Sequence, residues 1–497
     1  MNWQRSCMTI ALCLVGIGPS PAQQITEKPT LPPVAMQQQI EKLAEAVTLE
    51  EAEVKSSQQQ IQALREQVAA LQEQLAASRA SPTAPSSQAG DNPVGRLSAA
   101  VDALHEQQDL QQSEIATHEQ TKVESASKFP VKLTGLILMN AFTNSTGVDV
   151  IQSPTLATGG AGTTGITLRQ TILGLDARGP HLFGANTSAD VRVDFFGGLG
   201  QANYAAEGGT ARLRTAHVDL AWKQTRAFVE MDRPIISPNT PSSLTAVAQP
   251  ALAWSGNLWN WVPQIGVEQS VKLDPSSSMK VEAAVADVPD PPTIGVSTSA
   301  PPAASLAEQS RWPGSEARIG YSRENGLEVG AAGYFSPHSA GKDFRFDAWA
   351  ATIDYRVPLI AHLEASGSLY RGLGLGGLGG GAFKDYVYSQ PGNNYSYRPL
   401  DDVGGWTQLK ARATERIEFN TAFGIDNAFS SELKQYTAGG SANYQNMARN
   451  ATLFTNVIFS PTAYTLFSFE YRRIDTSAAS GSHLLANIYG VAAGYRF

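Results

Sequence analysis

Residues 486–497 read ANIYGVAAGYRF, with Tyr489, Val491, Ala493, Tyr495 and Phe497 on one face of an extended chain and Gly490, Ala492, Gly494 and Arg496 on the other. A period of two marks a strand whose faces meet different surroundings. A soluble sandwich would use such a strand as well, so the residues upstream decide. Residues 450–473, NATLFTNVIFSPTAYTLFSFEYRR, hold two more alternating runs. The first puts Ala451, Leu453, Val457 and Phe459 on one face. In the second, Ala463, Thr465, Phe467, Phe469 and Tyr471 alternate with Leu466, Ser468, Glu470 and Arg472. One face suits lipid and the other water, and Ser460-Pro461-Thr462 is short enough only for a tight hairpin.

The same pattern continues upstream and predicts sixteen strands, near 130–142, 164–178, 186–197, 210–222, 226–234, 263–273, 279–287, 314–323, 327–336, 344–356, 361–371, 403–413, 417–426, 449–459, 463–473 and 485–497. Every second connection is short: KQT, DPSSS, ENG, VPLI, TER, SPT and a slightly longer link near Pro180. The intervening ones are mostly long, at 143–163, 235–262, 288–313, 372–402 and 427–448. A sandwich has no reason to gather its long loops at one end. A transmembrane barrel of about sixteen antiparallel strands does, with short periplasmic turns and long external loops.

The start of the chain agrees with export. MNWQRSCMTIALCLVGIGPSPAQQ has an early Arg5, an apolar run from Cys7 to Ile17 and a small-residue site, which predicts a signal peptide over residues 1–22. Both cysteines, Cys7 and Cys13, fall inside it, so the mature chain can form no disulfide. No later run is apolar for long enough to cross a bilayer as a helix, which leaves strands as the means of crossing.

Residues 23–121 have a different chemistry. Ile40, Val47, Val54, Ile61, Val68 and Leu75 fall at heptad position a, and Leu43, Leu64 and Leu71 at d. After a Pro/Ser/Gly linker near 80–93, Val94, Val101 and Ile115 resume a, with Leu97 and Leu104 at d. This predicts a periplasmic α-helical coiled coil, with a monomeric helical hairpin as the alternative. β-Branched a with Leu d leans toward a dimer, while Glu50 and Ser57 at d blur that preference. After Lys128 helix formers give way to Gly, Thr, Ser and aromatics, so the barrel is placed at 129–497. The net charge of −8 lies mostly before that boundary, and the nearly balanced remainder offers no basic face to nucleic acid.

With the short turns in the periplasm, Phe459, Tyr495, Tyr355 and Tyr321 come to similar depth on outward faces, a candidate aromatic girdle. The terminal strand, with Phe497 and Tyr495, resembles the signal by which barrels are delivered to the barrel-assembly machinery. The whole arrangement of signal peptide, coiled coil and sixteen-strand barrel resembles the DcaP-like porins and, more loosely, the phosphate-selective porins. ARLRTAHVDLAW at 211–222 and AFVEMDRPIISP at 227–238 look like that family's arginine-bearing strand and the strand leading to its constriction loop. The family's Gly-Gln-Thr-Trp-like stretch is replaced here by EMDRP. The resemblance implies a homotrimer in outer-membrane lipid and a third external loop, 235–262, folded into the lumen. That loop has no charged residue, and its Trp254, Trp259 and Trp261 either shape the opening or pack the loop against the wall or a neighbouring subunit.

A barrel of sixteen strands is wide enough for water, so inward charges line a channel. Alternation turns Asp190, Arg192 and Asp194 inward on one strand and Glu230 and Asp232 on another. Arg212 and Arg214 share a face, yet His217 and Asp219 follow at the opposite parity, which requires a bulge or register change. Lys410, Arg412, Glu418, Glu470 and Arg472 add to the wall. Such residues either serve the passage of hydrophilic solutes or pair across strands. The seven histidines form no H-E-x-x-H, and no G-x-S-x-G appears. GLGLGGLGGG at 372–381 lacks a following Lys-Ser/Thr and is expected to be a flexible outer loop. The sequence therefore predicts no enzyme, metal or cofactor. It predicts a diffusion channel for small hydrophilic solutes, the alternative being a structural protein that tethers the outer membrane to the cell wall through its coiled coil.

Overall fold

The computed structural model describes residues 130–197, 209–291, 304–340, 344–389, 396–434 and 447–497. The expected signal peptide and coiled coil lie outside the described residues. The strands are β1 (Val131–Asn144), β2 (Thr163–Thr167), β3 (Ile172–Arg178), β4 (Asn186–Asp194), β5 (Arg212–Ala221), β6 (Thr225–Asp232), β7 (Val262–Asp274), β8 (Ser277–Ala286), β9 (Gly314–Arg323) and β10 (Glu328–Ala340). They continue with β11 (Phe344–Ile360), β12 (Leu363–Leu373), the small hairpin β13 (Tyr386–Ser389) and β14 (Ser396–Pro399), then β15 (Asp401–Arg412), β16 (Ile417–Ala428), β17 (Met447–Phe459), β18 (Thr465–Ala478) and β19 (His483–Arg496). Every strand pairing is antiparallel, β12 pairs with β15 across the small hairpin, and β1 pairs with β19, so the sheet closes on itself. Both β2 and β3 pair with β1 and together fill one position, which makes a closed barrel of sixteen.

The strand predicted at 164–178 is thus broken. Thr171 N donates to Leu168 O (3.0 Å) in a turn that swings Gln170 into the lumen, where it is fully buried. The bulge required by the arginine parity is present: Thr215 pairs with Arg192 and Leu213 with Val193, leaving Arg214 as the extra residue. One end of the barrel carries the short turns. The link from β3 to β4, residues 179–185, is the longest of these and turns at Phe183 and Gly184, both at positive φ between the bridged pair Leu182 and Ala185. The long connections described throughout, 145–162 and 233–261, lie at the other end.

The faces sort as alternation demands. Ile353, Leu369, Leu409, Phe419, Phe423, Phe469 and Val491 point outward and are well exposed, while their neighbours Asp354, Gln408, Asn420 and Glu470 point inward. Tyr495 is outward and stacks on Tyr464 at 6.2 Å between ring centroids. On β11 the polarity inverts toward the loop end: Arg345 and Asp347 lie outward beyond Trp349, and Phe344 and Phe346 are buried inside with Tyr334, Leu375 and Leu378. The apolar belt ends there, and an apolar plug of loop residues begins within. At the seam, Phe497 and Gly135 exchange backbone hydrogen bonds of 3.0 and 3.1 Å. A Cβ at Gly135 would come within 2.7 Å of the Phe497 ring, so the closure needs a glycine there.

Candidate functional site

Residues 233–261, between β6 and β7, enter the lumen and follow its wall. Ile236 N donates to Glu316 Oε2 on β9 (3.3 Å), and Ile236 O accepts from Thr352 Oγ1 on β11 (2.8 Å). Ser242 N donates to Gln408 Oε1 on β15 (2.7 Å), and Ser243 and Thr245 hydroxyls donate to the two oxygens of Glu470 on β18 (2.6 and 2.7 Å). Asn140 on β1 donates to Leu244 O (2.8 Å). Gln170, at the break between β2 and β3, accepts from Val247 N and Ala248 N (2.7 and 3.0 Å) and donates to Thr245 O (3.0 Å). Arg212 and Arg214 on β5 then donate to Ala248 O and Val247 O (2.8 and 2.5 Å). Prolines 234, 238, 241 and 250 keep the segment out of regular structure, so its buried backbone groups need side-chain partners. The wall supplies them.

The loop divides the wall in two. Under it, Asn140, Gln408, Asn456 and Glu470 are buried. Opposite, charges on β3 to β6 form a partly exposed ladder, which a buried group on β8, β9 and β11 continues. Arg192 bridges Asp176 (2.5 Å) and Asp190 (3.5 Å); His217 lies between Asp190 (3.0 Å) and Asp232 (3.1 Å). Arg226 joins Asp219 (2.6 Å) to Glu230 (2.8 Å), and Arg318 joins Glu282 to Asp354, both at 2.7 Å. Asp190, Arg192, Arg212, Arg214, Glu230 and Asp232 all lie on the inner face of β4 to β6 together. Asp194 does too, but it is fully buried, held by Arg212 (2.6 Å) and Arg214 (3.5 Å) at the junction of wall and loop. Arg212 and Arg214 also lie over the Trp261 ring, at 5.1 and 4.8 Å.

The three tryptophans are buried. Trp254 stacks on Phe383 (4.0 Å) and meets Trp259 edge-on (5.9 Å), which meets Trp261 the same way (5.3 Å); Leu156 completes the cluster. They pack the loop against segments 145–162 and 374–400. The glycine-rich stretch expected to be a flexible outer loop is folded inward, with Gly376, Gly377 and Leu378 buried. Asp385 accepts from Gly376 N (2.6 Å) and Gly377 N (3.3 Å), Asp402 from Gly381 N (2.8 Å) and Asp426 from Ala382 N (2.6 Å). Glycine permits this because Gly379 and Gly381 sit at φ of 104° and 63°. Lys384 donates to Ala382 O (2.8 Å) and Met447 O (2.6 Å). Burial lowers its ammonium to about 7 and raises the Asp385 carboxyl to about 8.

Gln170, Asn140, Gln408 and Asn456 are the site residues that charge-based reading passed over. Their signal is an uncharged amide at inward parity, or at a strand break, on the side that lacks the charge ladder.

No protein-family model matches the sequence, and no curated protein matches it. Among solved structures, the outer membrane channel DcaP of Acinetobacter baumannii is similar, with a TM-score of 0.56 and 16% sequence identity over 75% of this chain and 99% of that one. The anion-selective porin from Comamonas acidovorans matches at TM-score 0.45 and 10% identity, over 74% of this chain and 100% of that one. Pseudomonas putida OprB matches at 0.46 and 11%, over 74% and 94%. The likeness to the DcaP channel is one of fold, a closed barrel of sixteen positions.

Proposed function

We propose that this chain is an outer-membrane porin, a water-filled diffusion channel for small hydrophilic solutes, with its short turns and N-terminal segment in the periplasm. The observation that carries the reading is the loop 233–261 bonded along one wall of a closed barrel while the facing wall keeps a partly exposed ladder of both charge signs. An apolar belt outside and polar groups inside are what a bilayer on one side and water on the other require. Arg192, Arg212, Arg214, Asp190, Glu230 and Asp232 line the passage, and Asp194 fixes the arginines from beneath. Trp254, Trp259 and Trp261 hold the constriction loop in place. Tyr495 and Phe497 carry the assembly signal.

Reconstitution in a planar bilayer tests this. Stepwise ion conductance is expected; persistent silence of correctly folded barrel would sink the channel and leave the tether to the cell wall as the better reading. We further propose a homotrimer held mainly by its barrels. Native mass measurement of protein lacking residues 23–121 should still give three chains, and a monomer would assign the association to the helices.

A further inference from the structure

Two consecutive glycines, Gly404 and Gly405, lie in the loop-side half of β15. Glycine inside a strand weakens it and marks a place where something else approaches closely. On the outward face the register sets Leu369 beside Gly405, Gly405 beside Ile425 and Ile425 beside Ala451, so two small residues sit in a row of larger ones. The result is a groove of about 470 Å³, walled by Leu369, Val403, Phe423 and Ile425, with Arg449 at its loop-side rim.

Arg449 has an uncommon position for a cation. On the outward face of β17 it is separated from Phe459 by Ala451, Leu453, Thr455 and Val457, none of them charged. At ~3.3 Å per residue and a tilt of roughly 40°, that stretch rises roughly 25 Å, about the height of the apolar band of such barrels. If Phe459 lies at the headgroups of one leaflet, Arg449 lies at those of the other. Its Nη2 donates to Ser477 Oγ (3.1 Å), whose hydroxyl donates on to Asp475 Oδ1 (3.4 Å); its Nε is buried without a partner, and among the described residues no carboxylate forms an ion pair with it. Arg371, one strand to the far side of the groove, is by contrast paired with Asp401 at 2.5 Å. A guanidinium left open at the edge of an apolar surface matches a phosphate oxygen pair in charge and shape.

We propose that this groove binds a lipid of the surrounding leaflet, one acyl chain lying over Gly405 and the phosphate-bearing headgroup held by Arg449. The proposal rests on the barrel spanning a membrane and is independent of what passes through it. Full-length protein, stripped of lipid in detergent, is titrated with phosphatidylglycerol and with phosphatidylcholine of the same chains, and bound lipid is read by native mass spectrometry. The wild type should prefer the anionic lipid by about tenfold. Arg449→Gln should abolish the preference while still retaining either lipid weakly, and Val403→Trp, which fills the groove, should lose both. Ala451→Leu, a smaller addition from the other side, repeats the second arm should the tryptophan prevent folding. An Arg449→Gln protein with the wild-type preference overturns the proposal. So does displacement of the lipid by glycerol phosphate at equal concentration, which would make the site one for a free anion, or a Val403→Trp protein that loses its oligomer but keeps its lipid, which would make the groove a contact between copies. Bilayer conductance separates this from the channel reading: a protein that conducts without retaining lipid refutes the groove alone, and one that retains lipid without conducting refutes the channel alone.

Discussion

The wall from β15 through β19 to β1 and the wall from β3 to β9 belong to one barrel and face the same lumen, yet their chemistry differs. Under the loop the first offers Asn140, Gln408, Asn456 and the buried carboxylate Glu470, all engaged by the loop 233–261 or by each other. The second offers Arg192, Asp190, His217, Arg226 and their partners, which contact one another across strands and remain partly exposed. Neutral amides satisfy a peptide backbone without the cost of burying charge. Charges suit a surface that stays wet. Which wall the loop lies on is therefore written into the wall as much as into the loop.

The contrast can be broken outright by removing the loop. Replacing residues 236–260 with a short Gly-Ser linker should raise single-channel conductance severalfold, because the covered wall would then also face water; unchanged conductance would mean that the loop does not narrow the passage. A single anchor tests the covered wall next. Glu470 accepts from Ser243, Thr245, Asn456 and Arg472, so Glu470→Ala leaves the buried Arg472 guanidinium without its carboxylate. Loss of one partner of a buried pair costs about 3–5 kcal/mol, readable as a lower urea midpoint for unfolding.

The bare wall is probed more gently. Arg212→Gln with Arg214→Gln keeps donors for the carbonyls of Ala248 and Val247 but removes two fixed positive charges. Zero-current potentials across a salt gradient should shift toward cations, by roughly threefold in the permeability ratio. An unaltered ratio would place these arginines away from the narrow part. The smallest effect concerns the segment 374–400. Docking raises the Asp385 carboxyl from 3.8 to about 8, so its contribution is present in acid and is lost as pH rises through that upper value. Docking lowers Lys384 from 10.5 to about 7, so its contribution has the opposite slope and is already lost below about 7. In the acidic range Asp385, beside His338 at 3.9 Å, changes together with the other buried carboxylates that hold the segment, Asp402 and Asp426. Backbone hydrogen exchange at 376–384 should therefore be slowest in mild acid, and Asp385→Asn should flatten that dependence.

Much of this was legible from alternation. The hairpin of β17 and β18 is predicted at 449–459 and 463–473 and found at Met447–Phe459 and Thr465–Ala478. The bulge at Arg214 followed from charges on the wrong parity. What alternation could not supply was anything without a period. Gln170 sits at a break that reads as continuous strand, because Thr, Leu and Ile flank it. The glycine-rich stretch looked like open loop because its partners, Asp402 and Asp426, are distant in sequence and act on its backbone. The extension of β10 to Ala340 was hidden too, and although β11 begins at Phe344 as read, its Phe344 and Phe346 face inward where the parity rule for a lipid-facing barrel expects polar residues.

The mutual hydrogen bonds of Gly135 and Phe497 have a consequence for how the molecule is made. They join the first and last strands of the barrel, the most remote pair among the described strands, so ring closure is among the barrel's highest-order contacts and carries its largest loop-closure entropy. Until it forms, β1 and β19 are both open edges, able to pair with any other extended chain. A nascent barrel of this kind has to be shielded at two edges at once, and it is released from that need by one seam.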